Sequence, residues 1–443
     1  MAETDLSIIH TADSGAATRP HLLGLTLDEL AEALARLNQP AYRARQVFEW
    51  VYRHGVTDFE RMTNLPKALR AELAGRFAVL TTRVRRHAAS TDGTQKLLLE
   101  LADGETVETV WIPADGRNTA CVSSQVGCPV GCRFCASGLD GVKRNLRAGE
   151  IVEQALRIDL LIRTVRLRHG VASRAVVRDA DSVASDTDVR RAGGKASAPG
   201  TETTSPRDPF PPSHVPTSPR RTAGGGCPPP FPPSHLPTFP RTPPRRQGQR
   251  GLTHIVLMGM GEPLANYAQV VRALRLLNAS WGLNIGARRI TLSTVGLPDR
   301  IRRLASEGLP INLALSLHAT DESLRRELIP WAERFSLREI LDACAEYFRR
   351  TGREVTLEYV LLAGVNDRKR DARELAKIAR RLRGNVNLLR YNPVPGLPYE
   401  RPSASAAHAF QQRLRSLGVN AHIRRSRGTD VAAACGQLRR SAK

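Results

Sequence analysis

No run of about 18 consecutive apolar residues occurs in the 443-residue chain, so no membrane-spanning helix is expected. Met1 to Ser14 has neither a basic leader nor an apolar stretch, which speaks against a secretory signal. Acid is scarce: 43 Asp and Glu stand against 66 Lys and Arg, a formal charge of +23. Such a balance fits a polyanionic partner, most simply a nucleic acid. The excess does not reside in one biased segment, because residues 171–250 contribute +6 and leave +17 on the rest. A disulfide scaffold is also missing. The seven cysteines are an odd number in a long chain, and three of them crowd into eight positions. That pattern points to metal or redox chemistry in a reducing, cytoplasmic setting.

Residues 1–20 read as a loose tail. Residues 21–79 read as a small basic helical domain that contacts RNA. Thr26 and Glu29 form a capping box, Leu27, Leu30, Leu34 and Leu37 follow at helical spacing, and a second apolar helix runs through Tyr42, Val47, Phe48, Trp50 and Tyr52. A third covers Pro66 to Phe77; the aromatics among these arginines are read as core. Residues 80–118 read as a small β linker, with strands at Val79–Arg83, Lys96–Leu101 and Thr106–Ile112. Residues 119–440 alternate strand and helix, which predicts an α/β core with a parallel sheet, a partial (βα)6 TIM-like barrel. Residues 170–250 interrupt it. Fifteen of the 29 prolines fall within 201–250, and Pro209–Arg220 is repeated at Pro230–Arg241. This density excludes helix and central strand, so the segment reads as a disordered insertion, and its His214, Cys227 and His235 are not taken as ligands.

The chemistry concentrates in Cys128-Pro-Val-Gly-Cys132-Arg-Phe-Cys135. Three thiolates on one loop can hold three irons of a four-iron, four-sulfur cluster and leave the fourth iron open for a small molecule. In radical S-adenosylmethionine enzymes that molecule is S-adenosylmethionine, and one electron from the cluster cleaves its sulfonium to a 5′-deoxyadenosyl radical. The competing reading is a structural zinc in a non-catalytic RNA-binding assembly factor, although no second cysteine pair lies nearby. Met258-Gly-Met-Gly-Glu-Pro263 follows a predicted strand; its glycines allow close backbone approach, and Glu262 can receive an ammonium group. Ser293, Ser316-Leu317-His318 and Asn392 also lie at strand ends, where ligand sites of such folds gather.

With these motifs in order, the chain resembles the RlmN/Cfr family of radical S-adenosylmethionine RNA methyltransferases, and within it the adenine carbon-2 enzymes more than the carbon-8 ones. The resemblance spans about residues 22 to 440 without the insertion. It rests on Arg43-Ala-Arg-Gln-Val47, Met62-Thr-Asn64, Glu108-Thr-Val-Trp-Ile-Pro113, Cys121 to Cys128, the cysteine cradle, Arg144-Asn-Leu146, Met258–Leu264, Leu292-Ser-Thr294, Ser316-Leu-His-Ala319 and Ala434-Cys-Gly-Gln437. It implies that Cys128, Cys132 and Cys135 ligate the [4Fe-4S] cluster. Gly261, Glu262, Ser293, Ser316, Leu317, His318 and Asn392 contact S-adenosylmethionine. Cys435 carries the methyl group, Cys121 releases the product by forming a Cys121–Cys435 disulfide, and Glu108 takes the proton from the adenine carbon. The implied partners are 23S rRNA, tRNA and an electron donor such as flavodoxin or ferredoxin; the implied form is a monomer. The roughly 80-residue insertion departs from the family pattern.

Overall fold

The computed structural model describes residues 19–181 and 251–439, with backbone alone for 168–181. The chain divides into a larger unit, residues 1–170 with 250–443, and a smaller one, 171–249; among the described residues every strand belongs to the larger. The expected tail over 1–20 and insertion over 170–250 lie outside the described residues except at their edges.

The first helices form where the capping signals place them. Helix α1 (Leu27–Ala35) opens on Thr26, whose hydroxyl accepts from the Glu29 amide at 3.2 Å while Glu29 accepts from the Thr26 amide at 2.7 Å. Helix α2 (Tyr42–Phe48) widens into a π turn over Glu49–His54 and stops at Gly55, which takes φ 72°. Helix α3 (Lys67–Arg76) completes the set. Phe48 stacks on Trp281 at 4.5 Å and Tyr52 is buried, as expected of core aromatics, whereas Tyr42 at the start of α2 is 53% exposed and is not core.

Strands β1 (Arg83–Ala89), β2 (Gln95–Glu100) and β3 (Thr106–Ala114) form an antiparallel meander, and β4 (Arg117–Cys121) pairs with β3. The first strand begins four residues beyond its expected position. Val79 and Leu80 are apolar because they are buried in the core, whereas the Asp92-Gly93 turn sets the strand register. Nor is 80–118 a separate linker sheet: through β4 it continues the main sheet. A short hairpin, β5 (Gln125–Gly127) with β6 (Val142–Asn145), flanks the cysteine loop.

From β4 onward helices and strands alternate. Helix α4 (Ala148–Asp181) leads to β7 (His254–Leu257), α5 (Tyr267–Asn278) to β8 (Ile290–Thr294), and α6 (Pro298–Leu304) to β9 (Asn312–Ser316). Helices α7 (Glu322–Leu328) and α8 (Leu337–Thr351) precede β10 (Val355–Leu361), α9 (Lys369–Leu382) precedes β11 (Val386–Arg390), and α10 (Ala404–Ser416) precedes β12 (Ala421–Arg424). The strands β4, β7, β8, β9, β10, β11 and β12 neighbour one another in that order, and every pair is parallel. This is the expected six-unit partial barrel with a seventh parallel strand at its end. Helix α4 runs past its expected end near residue 168: no proline occurs between Ala148 and Asp181, and β-branched and arginine residues after Gly170 continue the helix without a stop signal.

A buried ion cluster ties the N-terminal segment to α4. Glu153 accepts from both the amides and hydroxyls of Thr81 and Thr82 at 2.6–3.0 Å, and lies 3.0 Å from Arg157 and 3.3 Å from His21. Burial alone pushes a carboxylate up, but Arg157, His21 and these hydrogen bonds outweigh it and hold Glu153 at about 2.

One glycine immediately before the cysteine loop is indispensable. Gly127 has φ 79°, and a Cβ there would lie 2.0 Å from the Gly141 carbonyl oxygen. Gly127→Ala should therefore cost more than about 2 kcal/mol, from left-handed backbone strain plus displacement of the β6 turn. Chemical denaturation measures it, and an unchanged midpoint contradicts the assigned conformation.

Candidate active site

Parallel strands deliver their carboxyl ends to one rim, and one pocket opens there. It is lined by Cys128, Cys132 and Cys135, by Gly261 and Glu262 after β7, by Ser293 on β8, by Ser316 and His318 at the end of β9, by Asn392 after β11, and by Cys435. Residues 122–125 and the Gly259–Glu262 loop are stitched together. Ser123 Oγ accepts from the Met260 amide at 2.9 Å and donates to the Glu108 carbonyl at 2.7 Å, and Gln125 Oε1 accepts from the Glu262 amide at 2.8 Å. Gly261 stands at φ 102°, and a Cβ on it would meet Gln125 and Ser124 at 2.7 Å.

The cysteine loop packs on apolar Val130, Phe134, Ala319, Leu328 and Val360. In this dry setting burial pushes the thiols up: Cys128 to about 12, Cys132 and Cys135 also upward. Cys128, Cys132 and Cys135 line one pocket and supply three thiolates, one short of the four ligands a structural zinc takes. Among the described residues no three His, Cys, Asp or Glu side chains form a single-ion site. A cubane asks for one thiolate per iron, so this arrangement fits a four-iron cluster better than a zinc ion. The cluster's ligands would be Cys128, Cys132 and Cys135.

Around the cradle the polar groups are aimed. Glu262 is 2 % exposed; its oxygens accept from the Leu264 and Val295 amides, each at 2.9 Å. Burial outweighs those bonds and pushes it up to about 7. His318, at φ 56°, accepts the Val360 amide on Nδ1 at 3.1 Å, which leaves Nε2 to carry the proton of the neutral ring. Burial, then Arg325, push this imidazole down to about 3. Its ring meets Phe134 edge-on at 5.0 Å. Ser293 and Ser316 share a hydrogen bond at 3.0 Å. Asn392 donates to the Cys435 carbonyl at 3.1 Å, while its Oδ1 is buried with no partner. An orphaned buried acceptor at a pocket wall fits a ligand donor group, as S-adenosylmethionine would supply.

Cys435 opens into the pocket and Cys121 is buried behind it, 6 % exposed at the end of β4. Both are free thiols. Burial pushes Cys121 up to about 12, with the neighbouring Cys435 adding to the rise. Burial also raises Cys435, and Arg424 pulls it back. Arg424 lies 3.4 Å from Glu358 and 3.7 Å from the Met258 sulfur.

Besides the buried Cys121, two expected site residues do not line the pocket. The Leu317 side chain is fully buried and does not line the pocket; it lies between Ser316 and His318, which do, and only its backbone is engaged, by donation to the Glu358 carbonyl. Glu108 is also off the pocket wall: it pairs with Lys96 at 2.7 Å and accepts the Arg439 amide at 3.0 Å. Conversely, Arg424 and Glu358 line the pocket although the motifs do not single them out. Arg424 ends β12, so the strand-end rule applied to Ser293 would have found it; Glu358, inside β10, carries no such signal.

The raised Glu262 gives a pH test. Its folded value lies above the unfolded one, near 4.5, so the folded state binds the extra proton and stability falls as pH rises from about 4.5 through 7. In cluster-free protein, the unfolding free energy of Glu262→Gln should gain on that of the wild type by up to the order of 3 kcal/mol as pH rises from 5 to 8, read by chemical denaturation. A gain independent of pH contradicts the buried carboxyl.

Comparison with known proteins agrees with this geometry. Residues 20–79 match the ribosomal RNA large subunit methyltransferase N-terminal domain, and residues 245–376 match the radical SAM superfamily. The chain is 39% identical over 98% of its length to a probable dual-specificity RNA methyltransferase RlmN of Rhodopirellula baltica, covering 95% of that protein. It is 40% identical to the one of Gloeobacter violaceus, with 95% of each chain covered. The crystal structure of a radical SAM methyltransferase from Sphaerobacter thermophilus superposes with a TM-score of 0.72 at 40% identity, over 95% of this chain and 99% of that one. A pocket that gathers three cradle thiols, the strand-end polar groups and a separate accessible cysteine on this fold, together with near-full-length similarity, places the chain in the RlmN family of radical S-adenosylmethionine RNA methyltransferases.

Proposed function

We propose that the chain methylates carbon-2 of an adenine in 23S rRNA and in tRNA, with Cys435 as the methyl carrier and Cys121 as the resolving thiol. The observation that supports this most is the pairing of an accessible Cys435 on the pocket wall with a buried Cys121 behind it, Arg424 acting electrostatically on both. The bound cluster and S-adenosylmethionine would supply the radical chemistry that an unactivated adenine carbon requires.

The protein's own groups divide the remaining work. Glu262 and the orphaned Asn392 Oδ1 would receive donor groups of S-adenosylmethionine, and the neutral His318 would offer its Nε2 proton as a donor. The Gly259–Gly261 backbone allows close approach. Val130, Phe134 and Val360 keep water from the cradle. Cys435 would take the methyl group on its sulfur as the methyl–sulfonium bond of S-adenosylmethionine breaks and S-adenosylhomocysteine leaves; the sulfur must first lose its proton, and the Arg424 charge favours the thiolate. Once that sulfur bonds to the adenine through the transferred carbon, the Cys121 thiolate attacks the sulfur, the sulfur–carbon bond breaks and the carbon takes a proton to become the product methyl; the Cys121–Cys435 disulfide left behind is reopened by an external dithiol reductant. Glu108 is the proton acceptor under this reading, a role that requires it to reach a pocket it does not line here. The net positive charge outside residues 171–250 supports RNA as substrate. A flavodoxin- or ferredoxin-type donor supplies electrons.

Cys435→Ala should abolish RNA methylation, and Cys121→Ala should accumulate a covalent protein–RNA adduct that survives denaturing electrophoresis. Mass spectrometry of the RNA reads the first. Methylated RNA at the wild-type level from Cys435→Ala removes the carrier role, and absence of the adduct removes the resolving role.

A further inference from the structure

The segment that bears Cys435 has little structure of its own. Between Gly428 and Arg439 it contains one 3-10 turn, Thr429–Val431, and three left-handed residues, Gly428, Ala432 and Gly436. It is held from outside, and much of the holding comes from β1–β3. The turn joining β1 to β2 takes its near end: Asp92 Oδ2 accepts the Gly428 amide at 3.0 Å, and Asp430 accepts the Ser90 hydroxyl at 2.6 Å and the Thr91 amide at 3.1 Å. A Cβ on Gly428 would stand 2.9 Å from Thr94, so the approach is tight.

Closer to the cysteine, one ion pair grips both sides. Lys96 on β2 faces Val110 across the ladder, so Glu108 on β3 is its diagonal neighbour on the same face. Their charged atoms lie 2.7 Å apart, with side chains only 13% and 9% exposed. Lys96 Nζ also donates to the Ala432 carbonyl at 3.0 Å, and Glu108 Oε2 accepts the Arg439 amide at 3.0 Å. One contact falls three residues before Cys435 and the other four after it. The downstream end is further tied to the cysteine loop: Ala136 donates to the Gly436 carbonyl at 2.7 Å, Ser137 to the Leu438 carbonyl at 2.6 Å, and Arg439 pairs with Asp140 through two contacts at 3.0 Å.

We propose that β1–β3 form a bracket for the carrier segment, closed by the Lys96–Glu108 pair, and that Lys96 and Glu108 are positioning residues for Cys435. The proposal rests on Cys435 being the methyl carrier, and it gives Glu108 a structural task apart from proton removal. A sulfur that must meet two partners in turn, cofactor and Cys121, needs its backbone held to a fraction of an ångström. The internal hydrogen bonds of this loop close only single turns before and around Cys435, so they cannot supply that alone.

The test uses the full-length, cluster-loaded enzyme under anaerobic conditions. Amide hydrogen exchange over 428–439 and peptide-mapped alkylation of Cys435 by iodoacetamide are followed in Lys96→Met, Lys96→Arg and Asp430→Ala. Lys96→Met should speed both by on the order of tenfold, the loss of a charge-assisted hydrogen bond. Lys96→Arg should restore most of the protection. Asp430→Ala, an exposed and milder break, should speed exchange over 428–433. RNA methylation by Lys96→Met should lose kcat with the KM for S-adenosylmethionine kept. Wild-type exchange and alkylation in both Lys96→Met and Asp430→Ala overturn the bracket. So does a Lys96→Met variant that loses turnover while 428–439 exchange at the wild-type rate. Failure of the carrier reading shows separately, in RNA methylation by Cys435→Ala, because exchange and alkylation need no turnover.

Discussion

Parallel strand direction is the constraint on which the rest depends. Seven consecutive strands of one sheet run the same way, from β4 to β12, so the loops after β4, β7, β9 and β11 all open on one rim. Residues separated by hundreds of positions then share one pocket without any of them being adjacent in sequence. The same geometry decides which neighbour is excluded. Ser316 and His318 reach the pocket, whereas Leu317 between them is directed into the core.

The opposite edge of the sheet supplies a different element. Strands β1–β3 are antiparallel and contribute no residue to the pocket wall, yet they hold the C-terminal segment that does. The Lys96–Glu108 pair, with Glu108 buried and Lys96 partly so, approaches buried ion pairs in its energetics. Its formation adds little net stability, while removing one partner typically costs about 3–5 kcal/mol because the other charge is stranded. Such a pair is better suited to fixing geometry than to raising overall stability. The pocket shows a parallel logic: the cradle thiols and Glu262 lie where burial opposes their charged forms, and a bound metal cluster and ammonium group would relieve that cost.

Much of this was legible in the chain. Close spacing exposed the cradle, since three thiolates in eight positions admit few other uses. The alternation of strand and helix pointed to the parallel sheet, and the strand-end rule to Glu262, Ser293, Ser316, His318 and Asn392, all of which line one pocket. Cys121 and Cys435 have no local signal; only the resemblance singled them out, and the fold brings them close enough to interact electrostatically. What escaped has physical reasons. Glu358 and Lys96 act from mid-strand positions, where their roles depend on cross-strand partners and, for Lys96, on a loop more than 300 residues away. The β1 boundary was misplaced because apolar Val79 and Leu80 mimic strand while packing into the core. Helix α4 outran its expected end because residues 169–181 hold no proline and, Gly170 aside, alternate strong helix formers, Ala172, Arg174, Ala175, Arg178 and Ala180, with only mildly unfavourable Val, Ser and Asp.

The central claim, that Cys435 carries the methyl group to RNA, is tested most directly by following the methyl itself. Protein given methyl-labelled S-adenosylmethionine without RNA should carry the label on the peptide containing Cys435, and later addition of RNA should move that label into adenine. Label on the Cys121 peptide, or labelled RNA with no labelled protein preceding it, contradicts the account.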